Sequence, residues 1–313
     1  MSKNRPLVVT WLALALAALA GSAHAAPVPA LELWIEVGGD GAPGPFWLEM
    51  LGRRLSPDDV AEAAALRRPL NDDQRAWADL IKSRLRFWTS RQAPLAEPFD
   101  PVTPPEVVRI VLGNRGGDDA FTHAPDTIGF DLSRLQSEYG NADKAENVGR
   151  IDRFFDHEYS HVLFKAWLAA HPQPGSTPFE LALYEMYTEG FGNYRSLSER
   201  WQSTAGNYSR AARSALDRLE PVLVDRLTAL ACATPEAAAP LVADLSRGPF
   251  ERKWGALPVA LWLDAEAATT PDAPRRFVQE GVAGLAALAM RRLPPELGVR
   301  FQAAQAQSRA CPR

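Results

Sequence analysis

The chain has 313 residues, 46% of them hydrophobic, with 34 basic against 38 acidic side chains and a formal net charge of −4. That apolar content supports one large domain or two closely packed lobes and excludes a disordered module. The acidic balance excludes nucleic-acid binding, because Arg53-Arg54, Arg67-Arg68 and Arg291-Arg292 are isolated pairs that solvated helix faces explain.

Residues 1–25 read as a cleavable signal peptide: Lys3 and Arg5, an apolar run from Leu7 to Ala20, and Ala23-His24-Ala25 before the expected first mature residue, Ala26. The apolar run is short for a membrane span, and no later stretch qualifies as one. The mature chain of 288 residues, with a net charge of −6, is therefore expected in the periplasm or outside the cell, without stable membrane insertion. In that oxidising setting Cys232 and Cys311, the only cysteines, are expected to pair and hold the C-terminal tail to the helical body.

An N-terminal, mostly helical region is expected over 26–100. It opens on a strand-like LELWIEV (Leu31 to Val37); a helix begins at Ser56-Pro57-Asp58-Asp59, and another is capped by Asn71 with Gln74 and runs toward Trp88. The proline-rich stretch Pro94 to Pro105 is the most plausible boundary before a core over 101–200. There EVVRIVL (Glu106 to Leu112) and TIGFDL (Thr127 to Leu132) read as strands, separated by a polar loop, Gly113 to Pro125, that carries His123 as a surface histidine.

Arg150 to Leu163, RIDRFFDHEYSHVL, holds the sequence His157-Glu158-Tyr159-Ser160-His161. Ile151, Phe154, Phe155, Val162 and Leu163 recur at helical spacing around it, as in a helix buried over much of its circumference. Residues four apart share a helix face, so the two imidazoles can reach one ion while Glu158 points beside it. The bland alternative, two histidines and a glutamate as satisfied core groups, has to overcome the cost of burying unpaired polar side chains.

A catalytic zinc takes three protein ligands and keeps a fourth position open. His123 and His171 do not stand in an HxxxxxH extension, so the third ligand is sought downstream. Thr177 to Ser196, TPFELALYEMYTEGFGNYRS, reads as a second helix with Thr177 and Glu180 as a capping box and Pro178 at its first position. Three glutamates compete. Glu189 precedes Gly190 and Gly192, whose missing side chains allow a close helix approach. Glu185 lies one turn earlier on the same face, and Glu180 already serves the cap.

HEYSH followed by TEGFGNY resembles the gluzincin pattern, in which the second helix carries a Glu-Gly-Phe-Ala or similar sequence. By position that resemblance implies Glu189 as third zinc ligand, although 27 residues separate it from His161, more than in aminopeptidase N-like enzymes. Glu180 matches the aminopeptidase spacing of 18 intervening residues, and a thermolysin-like arrangement would instead make Glu185 the ligand and Glu189 an orienting residue. The resemblance covers about the central 45 residues. It implies an α+β, predominantly helical fold: a zincin-like core with a small sheet, the HExxH helix and a glutamate-bearing second helix, followed by a helical lobe over 201–313 that closes a cleft. In zincins an edge strand before the motif helix pairs with an extended peptide, a part that Thr127 to Asp131 is expected to play if this is not an ordinary small sheet covering the helix.

Zn²⁺ held by His157, His161 and Glu189 keeps a net positive charge, so a bound water would ionise near pH 7 and Glu158 would act as general base. The expectation is a zinc metallopeptidase acting on peptide or protein substrates. The alternatives are a noncatalytic zincin-fold binding or envelope-assembly protein and a zinc hydrolase of a non-peptide amide or ester. Glu158 speaks for the enzyme, since a structural zinc site has no need of it. Tyr184, Tyr187, Tyr194 and Tyr208 are phenols to which no oxyanion role is assigned. Lys253 to Ala265, KWGALPVALWLDA, is apolar enough for a central helix packed behind or beside the site, with Pro258 in its first turn.

Overall fold

A computed structural model describes residues 28–172 and 175–311. The leader and its expected cleavage after Ala25 lie outside the described residues. The protein is α+β and predominantly helical. Strands β1 (Ala30–Ile35), β2 (Val107–Gly113), β3 (Ala120–His123) and β4 (Thr127–Asp131) are accompanied by helices α1 (Pro45–Gly52), α2 (Pro57–Ala65), α3 (Asp72–Ala96), α4 (Leu132–Tyr139), α5 (Ala145–Ala170) and α6 (Pro178–Arg195). Helices α7 (Arg210–Leu230), α8 (Pro235–Ala238), α9 (Ala256–Ala267), α10 (Ala273–Arg292) and α11 (Pro295–Ala310) follow. No described helix is long and apolar enough to cross a membrane.

The helix starts follow from local hydrogen bonding. Asn71 accepts from the Gln74 amide while Gln74 accepts from that of Asn71, and Thr177 and Glu180 make the same reciprocal box, so each pair satisfies donors that helix geometry leaves orphaned. Helix α3 runs past Trp88 to Ala96, with Pro94 inside it, so the proline-rich stretch begins within the helix rather than as a connection. The elements on either side of that stretch share one sheet, because β1 pairs in parallel with β2.

The strand order is β1-β2-β4-β3, with β3 alone antiparallel to its neighbour. This corrects two expectations. Thr127–Asp131 is an inner strand, buried along its length between β2 and β3, and the edge beside α5 is β3, from within the segment expected to be a polar loop. His123 is correspondingly buried at 6% exposure rather than on the surface. Four residues between Asp119 and Ala124 carry too short an alternation to stand out in sequence, and it is pairing with β4 that makes them a strand.

The two sheet faces pack differently. Val111 and Phe121 join Trp47, Met50 and Leu51 of α1, while Gly113 and Gly129 lack the Cβ atoms that would strike Trp47, Met50 and Phe121. On the other face Val108, Ile110, Leu112, Ile128 and Phe130 meet the helices of the main core. There Trp88 lies parallel to Phe155 with ring centroids 4.6 Å apart and stacks on Phe130 at 5.9 Å, tying α3, α5 and the sheet together. Polar contacts repeat the tie: Arg84 and the Trp88 indole both donate to Asp152, and one helical turn on Arg91 pairs with Asp156. Arg84, Trp88 and Arg91 fall at i, i+4 and i+7 of α3 and so form one face, set against Asp152 and Asp156 of α5.

Candidate metal centre

Helix α5 carries Asp156, His157, Glu158 and His161, with Asp156 and Glu158 buried. Burial raises the Asp156 carboxyl pKa, and its bond to Arg91 opposes that rise, so the ion pair accounts for the one acid of the group that faces away toward α3. His157 and His161 are one turn apart and their rings meet edge-to-face at 4.8 Å.

Helix α6 brings Glu189 to the same point. Its Oε2 lies 3.5 Å from His157 Nε2 and its Oε1 3.4 Å from His161 Nε2, and the two Nε2 atoms are 3.0 Å apart. Among the described residues these three side chains are the group whose ligand atoms converge closely enough to hold a metal ion. A tetrahedral ion with bonds of about 2.0–2.1 Å to N and O separates its ligand atoms by about 3.3 Å; each imidazole lies near that distance from one carboxylate oxygen, His157 from Oε2 and His161 from Oε1, and with one ligand atom from each residue the three lie within 4.8 Å of one another. The donor chemistry, two imidazole nitrogens and one carboxylate, fits zinc.

Electrostatics at the cluster favour an ionised carboxylate. Burial alone would raise the Glu189 pKa, but His161 and the hydrogen bond to His157 override it and bring it down to about 2. Burial opposes protonation of both histidines; for His157 the bond to Glu189 and the nearby charges of Glu158 and Glu189 win, whereas for His161 burial wins and the pKa is lowered. Lys253, in the segment leading into α9, is near enough for its charge to bear on both His157 and Glu189.

The competing glutamates are otherwise engaged. Glu185 accepts a hydrogen bond from Ser246, and burial raises its pKa. Glu180 accepts from the Ser176 and Thr177 amides at 3.0 and 3.1 Å in the α6 cap. His123 lies apart for a geometric reason. Alternation along β3 sends Phe121 and His123 to the α1 side, where they meet Trp47 and Phe46, and sends Thr122 toward α5. His171 caps the far end of α5 and stacks on Trp167. Of the tyrosines, Tyr187 is fully buried and donates to the Val278 carbonyl.

The two glycines after Glu189 serve different neighbours. A Cβ on Gly192 would sit 2.9 Å from His157 Cε1 and 3.0 Å from its Nδ1, so this glycine is what lets the imidazole lie against α6. A Cβ on Gly190 would meet Val259 of α9 at 2.5 Å, which makes it a close-packing site for the apolar helix behind the centre. Gly192→Ala is therefore expected to push the His157 ring off its position and to weaken any zinc binding at this cluster by about 10- to 100-fold, the range typical of a disturbed ligand orientation. Stability of the metal-free chain should change by no more than about 1 kcal/mol, because better helix propensity offsets local overpacking. Competition with a zinc chelator, alongside thermal melts, separates the two effects; wild-type affinity in the variant would mean the ring yields freely.

Thr122, Asp156 with Arg91, Ser246 and Lys253 belong to the surroundings of the centre and were not singled out in sequence. Only Asp156 left a signal, as a second acid one turn after Asp152 on the motif helix; the others come from segments whose positions relative to α5 and α6 depend on tertiary packing. No protein-family model matches the chain, and neither a curated protein nor a solved structure does.

Proposed function

We propose that this protein is an exported, zinc-dependent hydrolase of peptide bonds of the gluzincin type, with His157, His161 and Glu189 as metal ligands and Glu158 as general base. The observation that carries the reading is the convergence of Glu189 with the two imidazoles, one ligand atom of each within 4.8 Å of the others, with the carboxylate of Glu158, on the same helix as the histidines, held by Thr122. Zinc in that position would supply Lewis acidity and lower the pKa of a coordinated water to about 7.

The chain's own residues provide the rest. Glu158 Oε2 is engaged by the Thr122 hydroxyl at 2.8 Å, which leaves Oε1 to take a proton from the attacking water and return it to the leaving amine. Lys253 adds positive charge near His157 and Glu189. Antiparallel β3, with no strand on its outer side among the described residues, has the character of the zincin edge that receives an extended peptide. Arg91 and Arg84 hold α5 against α3, so the histidines stand on a clamped element. The leader expected over residues 1–25 would direct export, and the pairing of Cys232 with Cys311 suits an oxidising compartment.

Metal content of the purified mature protein tests the reading. About one zinc per chain is expected in wild type by elemental mass spectrometry, with loss in His157→Ala and in Glu189→Ala. A thousandfold excess of zinc over its Kd should stabilise wild type by about 4 kcal/mol and leave both variants unmoved. Retention of zinc in Glu189→Ala would return Glu185 or Glu180 to contention. A well-folded wild type that takes up no metal after reconstitution would sink the enzyme in favour of a binding protein, and activity confined to esters or non-peptide amides would change the substrate class.

A further inference from the structure

Resting on that reading, we infer that Thr122 is the positioning residue of the general base: its hydroxyl, on the edge strand, fixes the Glu158 carboxylate beside the metal ligands. Thr122 Oγ1 lies 2.8 Å from Glu158 Oε2 and 2.9 Å from the backbone carbonyl oxygen of the same residue. A hydroxyl carries one proton and two lone pairs, so Oγ1 donates to this pair of acceptors in turn or shares the proton between them. The two contacts bracket the Glu158 side chain at both ends, and together they select one rotamer of a chain with three freely rotating bonds.

The hydroxyl is itself held. Threonine is β-branched and stiff about χ1, and in a strand its side chain stands perpendicular to the sheet, here on the α5 face. The strand is pinned to α5 at a second point, where Lys165 Nζ donates to the Ala124 carbonyl at 2.6 Å. Glu158 and Lys165 are seven residues apart, two turns along one helix face, so the C-terminal end of β3 is fastened to that face at Thr122 and, one residue past the strand, at Ala124. On the strand's opposite side Phe121 and His123 pack on Trp47 and Phe46, which prevents β3 from rolling about its axis. The strand that presents a free edge to substrate is thus also the strand that sets the base, so displacement of β3 would displace Glu158 as well.

Thr122→Val removes the hydroxyl at nearly constant shape and suits a strand, and Thr122→Ser restores it. Each is made in the full mature chain, loaded with zinc, and examined by elemental mass spectrometry, crystallography and peptide hydrolysis. Zinc stoichiometry and folding are expected to be unchanged in both. In Thr122→Val the Glu158 carboxylate should leave its place beside β3, and kcat should fall about 10- to 100-fold with KM held, matching the loss of a hydrogen bond to a charged group. Thr122→Ser should return Glu158 to its position and kcat to within about threefold of wild type, the remainder reflecting the freer serine χ1. A Glu158 carboxylate unmoved in Thr122→Val overturns the inference, as does Thr122→Ser being as impaired as Thr122→Val. If wild type hydrolyses no peptide, the functional reading fails, and the Glu158 positions in the crystal structures still decide the role of Thr122.

Discussion

Glu158→Gln is expected to keep its zinc and lose hydrolysis by about 10²- to 10⁴-fold, the contribution of a positioned general base. Glutamine has the shape of glutamate and retains an acceptor oxygen for the Thr122 hydroxyl, so the contact at 2.8 Å and the packing of α5 against β3 survive. The proposed ligand set of His157, His161 and Glu189 does not include residue 158, so metal content should match wild type. What disappears is basicity alone, since an amide does not accept a proton near neutral pH. The measurement is a peptide-library screen with wild type and Glu158→Gln side by side, with zinc quantified in the same samples. Equal turnover in the two proteins would remove Glu158 from the mechanism, and loss of zinc in the variant would mean that the carboxylate supports the metal rather than the water.

A second large effect is expected at the other end of the molecule. Cys232, just past α7, and Cys311, at the end of α11, are paired with their Cα atoms 5.7 Å apart across a sequence separation of 79 residues. Closing a loop of that length removes denatured-state entropy equivalent to about 4 kcal/mol in the chain-entropy treatment. The double substitution Cys232→Ser with Cys311→Ser should therefore cost about 4 kcal/mol and lower Tm by on the order of 10 °C. Docking of α11 on α7 should persist, because Leu223, Leu227, Leu297 and Phe301 remain buried and Arg300 pairs with Asp225. Zinc content should be unaffected, as neither helix supplies a residue of the His157, His161 and Glu189 cluster. Urea denaturation of the variant, and of wild type under reductant, checks this; a difference below about 1 kcal/mol would mean that helix packing already confers the constraint.

The candidate site divides into a part readable from sequence and a part that is not. The spacing of His157 and His161 needs only the 3.6-residue helical period, because side chains four apart on one helix meet whatever surrounds them. The α6 cap is equally local: Thr177, Pro178 and Glu180 satisfy the first-turn amides among themselves. Even Gly192 was conspicuous as a residue permitting close approach, although its partner, the His157 ring, was not nameable. Glu180, Glu185 and Glu189 share one helix and similar local surroundings, so their roles separate only through Thr177, Ser246 and the imidazoles.

The sheet shows the same division from the other side. Strands β1, β2 and β4 have β-branched and apolar runs long enough to be recognised, and each lies within a residue or two of its expected bounds. Their order was not readable, since pairing joins segments far apart in sequence, and the order decides that β3 rather than β4 is the edge. Sequence by itself determined the motif helix, the capped second helix, the three longer strands and the helical character beyond Arg200, all governed by interactions within a few residues. Tertiary structure alone decided which glutamate meets the histidines, which strand borders α5, the burial of His123 and the contact of Thr122 with Glu158. Those depend on where separate elements are pressed together by the burial of Trp47, Trp88, Phe130 and Phe155, and a side chain's partner across such an interface has no imprint in its own neighbourhood.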